Sequence, residues 1–346
     1  MWASEDATSR KGIYRVNPDG TGLAQLLPFL RRGDWSVAVS PDGQKMLYSG
    51  GDGDIYLANV DGSNLTNLTN TPDREEGCAV WSPDGQRIWY RQYNYSDNTH
   101  RYNPDADSTD IGVMNADGSH PMNLTNNQPG YYSGAQAWSP DGQRILFGAS
   151  SPGQQQSDIY VMNADGTNQT NLTNTPDRSE IGQAWSPDGR QIVYYSEEDG
   201  VGWNLYIVNA DGTAPVRLAL AIPEHYSISY FADFTWSPDG QRVAFLADFQ
   251  ITSENEFPKP SITSLFTANV DGSNAIRLTD LSLNVRAYSW SPDGQRLACA
   301  GFPSSALTGE DNHALYVVNA DGSGLKRLTE ADFADIDTIG WVSPGR

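Results

Sequence analysis

Apolar and polar residues alternate with a period of two along most of the chain, in short runs separated by turn residues. One such stretch reads AQAWSPDGQRILFGAS from Ala135 to Ser150, and a second, DIYVMNADGTNQTNLTN, begins at Asp158. Two tetrapeptides punctuate the alternation. SPDG begins at Ser40, Ser82, Ser139, Ser186, Ser237 and Ser291, with a shortened SPG at Ser343. NxDG begins at Asn17, Asn59, Asn115, Asn163, Asn209, Asn269 and Asn319. In SPDG, proline presets the first turn dihedral, aspartate bonds the backbone, and glycine supplies the left-handed residue that closes a tight hairpin. NxDG works the same way, with asparagine expected as the opening side-chain acceptor. The two turns alternate strictly, about every 50 residues each. The pattern predicts repeated units of four antiparallel strands, A to D, with SPDG joining A to B and NxDG joining C to D.

Four-stranded sheets repeated radially form a β-propeller, which leaves only short, protected edges. The expectation is therefore an all-β fold, one seven-bladed β-propeller domain over residues 1–346. Strand A of the seventh blade comes from Ile339–Arg346, strand B from Met1–Ser4, and strands C and D from Gly12–Leu27. Trp81, Trp138, Trp185, Trp236 and Trp290 each precede an SPDG serine, a position expected to pack between neighbouring blades.

The units WSPDGQRI…DIYVMNADG…NLT resemble the TolB-type β-propeller repeat, which is also found in the propellers of prolyl-oligopeptidase-like serine peptidases. The resemblance covers essentially the whole chain and is specific for fold, far less so for function. It implies a bacterial envelope protein, periplasmic or extracellular, that binds other proteins. TolB propellers usually have six blades, so seven here would weaken any transfer of residue roles; TolB's separate N-terminal domain has no counterpart in this sequence.

Composition narrows the chemistry. The chain has 43 acidic and 22 basic residues, a net charge of −21, which excludes the basic footprint of a nucleic-acid binder and attachment to an anionic membrane surface. No run approaches 18 apolar residues, so no membrane insertion is expected, and the N-terminal MWASEDATSRKG lacks a signal-peptide plan. Cys78 and Cys299 stand far apart without metal spacing and are expected to be buried thiols. No GxSxG nucleophile elbow occurs, so a peptidase would need a catalytic segment from elsewhere. His100, His120, His225 and His313 form no zinc-type cluster. His225, beside Glu224 and Tyr226, is the one neighbourhood suited to a sugar-active site. Asn-x-Ser/Thr strings starting at Asn64, Asn67, Asn123 and Asn171 read as polar residues of strand D.

The acids divide by position. Thirteen are turn aspartates, and the other 30 fall in B–C or D–A loops, which places about −20 of the net charge on the variable loop face. Six residues before the turn serines stand Asp34, Glu76, Ser133, Glu180, Phe231, Val285 and Asp337, so four blades place a carboxylate at one radial position near the channel mouth. Glu75, Asp73, Asp177 and Asp335 add to it. Such carboxylates raise each other's pKa unless a cation or basic partner compensates. Oxygen ligands from Asp34, Glu76, Glu180 and Asp337 would suit Ca²⁺; a basic protein or peptide, or plain solvation, are the alternatives. Loop aromatics Trp35, Tyr131, Tyr132, Tyr226 and Trp203 are candidate anchors for a partner. The expectation is a monomeric, non-catalytic binding scaffold with no cofactor unless Ca²⁺ occupies the carboxylate site. The alternatives are the propeller of a serine peptidase and an engineered propeller with no selected ligand.

Overall fold

Each SPDG turn is held by its own side chains. Ser82 Oγ donates to Asp84 Oδ1 at 2.6 Å and accepts from the Arg87 amide at 2.9 Å, while the Gly85 amide donates to the Ser82 carbonyl at 2.9 Å. Gly85 has φ +68°, which a Cβ would strain. The same contacts recur at Ser139 and Ser291. In NxDG the roles differ from the sequence expectation. Aspartate is the acceptor, as at Ser63 N to Asp61 Oδ1, and Asn59 donates its amide to Ser63 Oγ at 2.9 Å. The asparagine is a donor because its carboxamide NH₂ faces a hydroxyl across the turn.

The computed structural model describes residues 12–15, 24–28, 37–50, 52–71, 74–95, 107–127, 131–150, 156–198, 202–218, 226–251, 261–304 and 314–328. Within them β1 (Gly12–Arg15) pairs with β2 (Ala24–Pro28), and six four-stranded antiparallel sheets follow in chain order. The first holds β3 (Val37–Val39), β4 (Lys45–Ser49), β5 (Ile55–Asn59) and β6 (Thr66–Asn67). The second holds β7 (Glu75–Trp81), β8 (Arg87–Asn94), β9 (Ser108–Asn115) and β10 (Met122–Asn123). The third holds β11 (Tyr132–Trp138), β12 (Arg144–Ser150), β13 (Asp158–Asn163) and β14 (Thr170–Asn171). The fourth holds β15 (Arg178–Trp185), β16 (Gln191–Glu198), β17 (Gly202–Asn209) and β18 (Val216–Arg217). The fifth holds β19 (Tyr226–Trp236), β20 (Arg242–Ile251), β21 (Ser261–Asn269) and β22 (Ile276–Arg277). The sixth holds β23 (Leu283–Trp290), β24 (Arg296–Pro303), β25 (Ala314–Asn319) and β26 (Lys326–Arg327). Strand order is sequential in every sheet. The segments expected to supply strands A and B of a seventh blade lie outside the described residues.

Strands run further into the expected loops than the turn pattern suggested. β20 continues to Ile251 and β21 begins at Ser261, where a loop was expected from residue 247 to 264. Cross-strand pairs such as Phe249 with Ile262 extend that hairpin, and the Phe249 side chain is fully buried.

The chain divides into two compact units, Met1–Asn171 and Leu172–Arg346. In the first, one cluster gathers Leu47, Ile55, Trp81, Ile88 and Met114, and another Trp89, Ile111, Trp138, Ile145 and Phe147. In the second, Val193, Leu205, Trp236, Phe245 and Phe266 form one cluster, and Leu265, Val285, Trp290 and Leu297 another. The repeated tryptophans are core residues that join sheets. Trp81 Nε1 donates to the Ala38 carbonyl at 3.2 Å, and Trp138 Nε1 to Val80 at 3.4 Å. Trp236 reaches Ala184 and Trp290 reaches Thr235, both at 3.3 Å. Arg87 lies 4.9 Å over the Trp138 ring and donates to the Gly142 carbonyl at 2.6 Å, fastening one SPDG turn to the next sheet. Neither cysteine forms a disulfide; Cys299 is buried, which pushes its thiol up to about 12, while Cys78 is only half-buried.

Candidate functional site

Of the carboxylates expected at the channel mouth, Asp34, Asp335 and Asp337 lie outside the described residues, as do Trp35 and His225. Glu75, Glu76 and Glu180 are within them, and all three are buried on their strands. Glu76, paired across β7 and β8 with Gln92, accepts from Thr71 Oγ1 at 2.7 Å. Burial pushes its carboxyl above the usual range, with the Thr71 bond acting the other way. Glu180 accepts from Thr175 Oγ1 at 2.6 Å and from Ser196 Oγ at 3.1 Å. At the equivalent point of the third sheet Ser133 takes a hydrogen bond from Asn127 at 2.8 Å. These residues therefore sit in a repeated latch, in which the residue five or six positions upstream ties the incoming chain to the first strand of the next sheet. Among the described residues no group of three or more His, Cys, Asp or Glu is arranged to hold a metal ion.

A second set of buried carboxylates organises the same loops and escaped the sequence reading. Asp110 is 2% exposed and accepts four hydrogen bonds: from Asn94 Nδ2 at 2.8 Å, and from Asn123 Nδ2, Thr125 Oγ1 and the Asn127 amide at 2.7 Å each. Asp54 accepts from Asn67 Nδ2 at 2.7 Å, Thr69 Oγ1 at 3.2 Å and the Thr71 amide at 3.0 Å. Asp158, only half-buried, accepts from Asn171 at 2.7 Å. Aspartate and asparagine stand thirteen residues apart each time, so the Asn-Leu-Thr strings are partners of these aspartates. Where the asparagine is replaced by Arg217, Arg277 or Arg327, the aspartate is replaced by Asn204, Ser264 or Ala314. That covariation between repeats was the available signal.

Several of the acids that the sequence pattern assigned to the loops are therefore not surface charges. Asp54, Glu75, Glu76, Asp107, Asp110, Glu180 and Asp248 are all buried, because the loops need acceptors for their hydroxyls, amides and backbone N–H groups.

The candidate aromatics fare differently. Trp203 lies on β17 and packs against the core cluster of the second unit, so it is no free anchor. Tyr226 opens β19, paired with Ile251, instead of lying in a loop. Tyr131 is 37% exposed, and Tyr132 beside it begins β11. The Arg91 guanidinium lies 5.4 Å over the Tyr132 ring and 6.0 Å from that of Tyr93, which stacks on Tyr95 at 6.2 Å. Tyr95 in turn donates to Glu75 Oε2 at 2.8 Å. The backbone under this patch is fixed by the Thr109 amide donating to the Tyr131 carbonyl and Thr109 Oγ1 donating to that of Ser133. An arginine and three tyrosines, Tyr93, Tyr95 and Tyr132, are thus brought together from β8 and β11 and their ends, with the exposed Tyr131 next in the chain.

Six sequential four-stranded antiparallel sheets with inter-sheet tryptophans define a repeat protein of propeller type. Residues 107–255 match the TolB beta propeller domain. Dipeptidyl-peptidase 5 of Porphyromonas gingivalis is 32% identical over 72 residues, which is 21% of this chain and 10% of the relative. The chain thus aligns with about a tenth of that curated relative's length. Oligogalacturonate lyase from Vibrio parahaemolyticus superposes with a TM-score of 0.64 at 14% identity, covering 91% of this chain and 84% of that one. A puromycin-hydrolysing peptidase of Mycobacterium tuberculosis gives 0.61 at 15% identity, covering 93% of this chain and 51% of the other. At these identities the likeness is one of fold.

Proposed function

We propose that the chain is a non-catalytic binding platform for a protein or basic peptide, docked on its loops. The observation that supports this is the patch of Tyr132, Tyr93 and Tyr95 around Arg91, partly exposed, flanked in sequence by the exposed Tyr131 and seated on hydrogen-bonded strand ends. Rigid aromatics with one arginine are the composition of an interface anchor, and a net charge of −21 favours a cationic partner. Lysine or arginine side chains of the partner would lie on the tyrosine faces. A lysine-rich peptide should bind with an affinity that falls as salt rises. Tyr131→Ala with Tyr132→Ala should weaken it about tenfold, the loss expected of one anchor. Binding indifferent to both salt and these substitutions would remove the proposal. The TolB-type repeat supports a periplasmic setting, which fractionation of cells expressing the full gene tests.

A second reading is the propeller portion of a larger serine peptidase. It is favoured by the 72-residue match to a dipeptidyl-peptidase. The coding sequence around this chain decides it: a hydrolase segment in the same frame supports the reading, and its absence ends it.

A further inference from the structure

Five of the six described sheets share one feature that the second sheet lacks. At a fixed register between the second and third strands, an aromatic ring of the third strand faces a side chain of the second. Tyr56 stacks on Tyr48 at 5.4 Å, Tyr160 on Phe147 at 5.3 Å, Tyr206 on Tyr194 at 5.5 Å and Phe266 on Phe245 at 5.5 Å. Tyr316 occupies the position opposite Cys299. In the second sheet the residue is Gly112, paired with Tyr90. The Tyr90 ring leans over the glycine so closely that a Cβ there would stand 2.3 Å from its Cζ.

Beside that glycine is a cavity of about 210 Å³. Its apolar wall is Leu68, Met114 and Met122, and its polar groups include Glu76, Tyr90 and Arg74. Tyr90 is 5% exposed and lines the cavity wall. Glu76 is 3% exposed, and Arg74 stands at the exposed rim, near enough to act electrostatically on both Glu76 and Tyr90. A cavity of about 150 Å³ holds benzene, so this one has room for a ring and several further atoms. The site therefore joins a ring-sized space with one apolar wall, a buried carboxylate, a tyrosine phenol, and a guanidinium at the mouth.

We propose that this cavity binds a free aromatic α-amino acid. Its ring lies against the apolar wall of Leu68, Met114 and Met122. Its ammonium meets Glu76, and its carboxylate meets Arg74 and the Tyr90 hydroxyl. A peptide terminus presents only one of the two charges, so the same pocket discriminates against it.

Calorimetry and ligand-observed NMR on the full chain test the assignment with L-phenylalanine, phenethylamine and 3-phenylpropionate. L-Phenylalanine should bind best. Arg74→Ala should weaken L-phenylalanine at least about fivefold, as expected for a lost charged hydrogen bond, and leave phenethylamine unchanged. Glu76→Gln should weaken both amines and leave 3-phenylpropionate unchanged. Gly112→Tyr restores the ring of the other sheets and should abolish binding of all three. Should that variant not fold, Met122→Trp at the half-exposed wall serves the same purpose. N-acetylphenylalanine and phenylalanine amide separate a free amino acid from a peptide end, and should each bind more weakly than the zwitterion. No binding of L-phenylalanine at about 10 mM, which would fill about nine-tenths of a site of about 1 mM affinity, overturns the proposal. So does undiminished binding to a folded Gly112→Tyr or Met122→Trp protein.

Discussion

Replacing Asp110 by alanine should be among the most damaging single changes in the first unit. The carboxylate is 2% exposed and accepts from three side chains and one backbone amide, all at 2.7–2.8 Å. A hydrogen bond to a charged group contributes about 1.5–3 kcal/mol, but the four share one carboxylate whose own burial is costly, so they do not add. Removing the acceptor leaves four donors facing a small void. The comparable loss of one partner from a buried charged contact costs about 3–5 kcal/mol. At about 2 °C per kcal/mol for a chain of this size, the melting temperature should fall by roughly 8 °C. Asn123→Ala deletes one donor alone and should cost about 1–2 kcal/mol. In the double variant the effects should fall short of their sum by at least about 1 kcal/mol, the mark of groups acting in one network. Hydrogen exchange localises the damage. The Asn127 amide bonds Asp110 directly, and the Ile111 amide bonds Thr125 Oγ1, which itself donates to Asp110. Both should exchange faster in Asp110→Ala while Trp185, in the other unit, is unaffected. A loss below about 1 kcal/mol, or unchanged exchange at Asn127 and Ile111, would refute the view that this carboxylate holds the loops.

Three further outcomes can be checked. The folded protein holds the Glu76 carboxyl above its ordinary value, so ionised Glu76 lowers stability above that folded pKa and the cost vanishes below about 4.5; Glu76→Gln should stabilise at pH 7 and flatten the stability curve over that window. The SPDG aspartates are shifted the other way by their serine hydroxyls, so their contribution is present above about 3.8 and lost on further acidification; Asp141→Asn should leave less stability to lose below pH 4 in acid titration followed by circular dichroism. Ca²⁺ at millimolar concentration is the test of the carboxylates at residues 34, 76, 180 and 337: heat of binding and a raised melting temperature support a bound ion, and an unchanged melting curve removes it.

The sheet register was legible because its signal is local. SPDG and NxDG need particular dihedrals at particular positions, so their recurrence located the hairpins of all six described sheets. The tryptophan before each SPDG was readable as core for a similar reason: a bulky ring at a fixed strand position must meet a neighbouring sheet. The loop chemistry was harder. Asp110 and Asn123 look like ordinary polar surface residues when each is taken alone, and only their constant separation marks them as partners. Counting Glu76 and Glu180 as exposed charge failed because composition does not say which way a side chain points at a strand end. Trp203 failed likewise, since β17 begins one residue before it and turns the ring into the core. Gly112 stood plainly in DIGVMN against DIYVMN, yet its meaning depends on Tyr90 across the strand pair.

The indole bonds have a consequence for how the molecule comes apart. Each runs from one sheet to the sheet before it, as from Trp138 to Val80 and from Trp290 to Thr235, and Arg87 spans the same boundary. Within each unit, cohesion is then a sum of nearest-neighbour terms, as in a one-dimensional lattice. A sheet that loses its tryptophan gives up its hold on one neighbour while keeping the other. Denaturation of such a variant should be broadened, with the weakened boundary opening first and the remaining sheets following at higher denaturant.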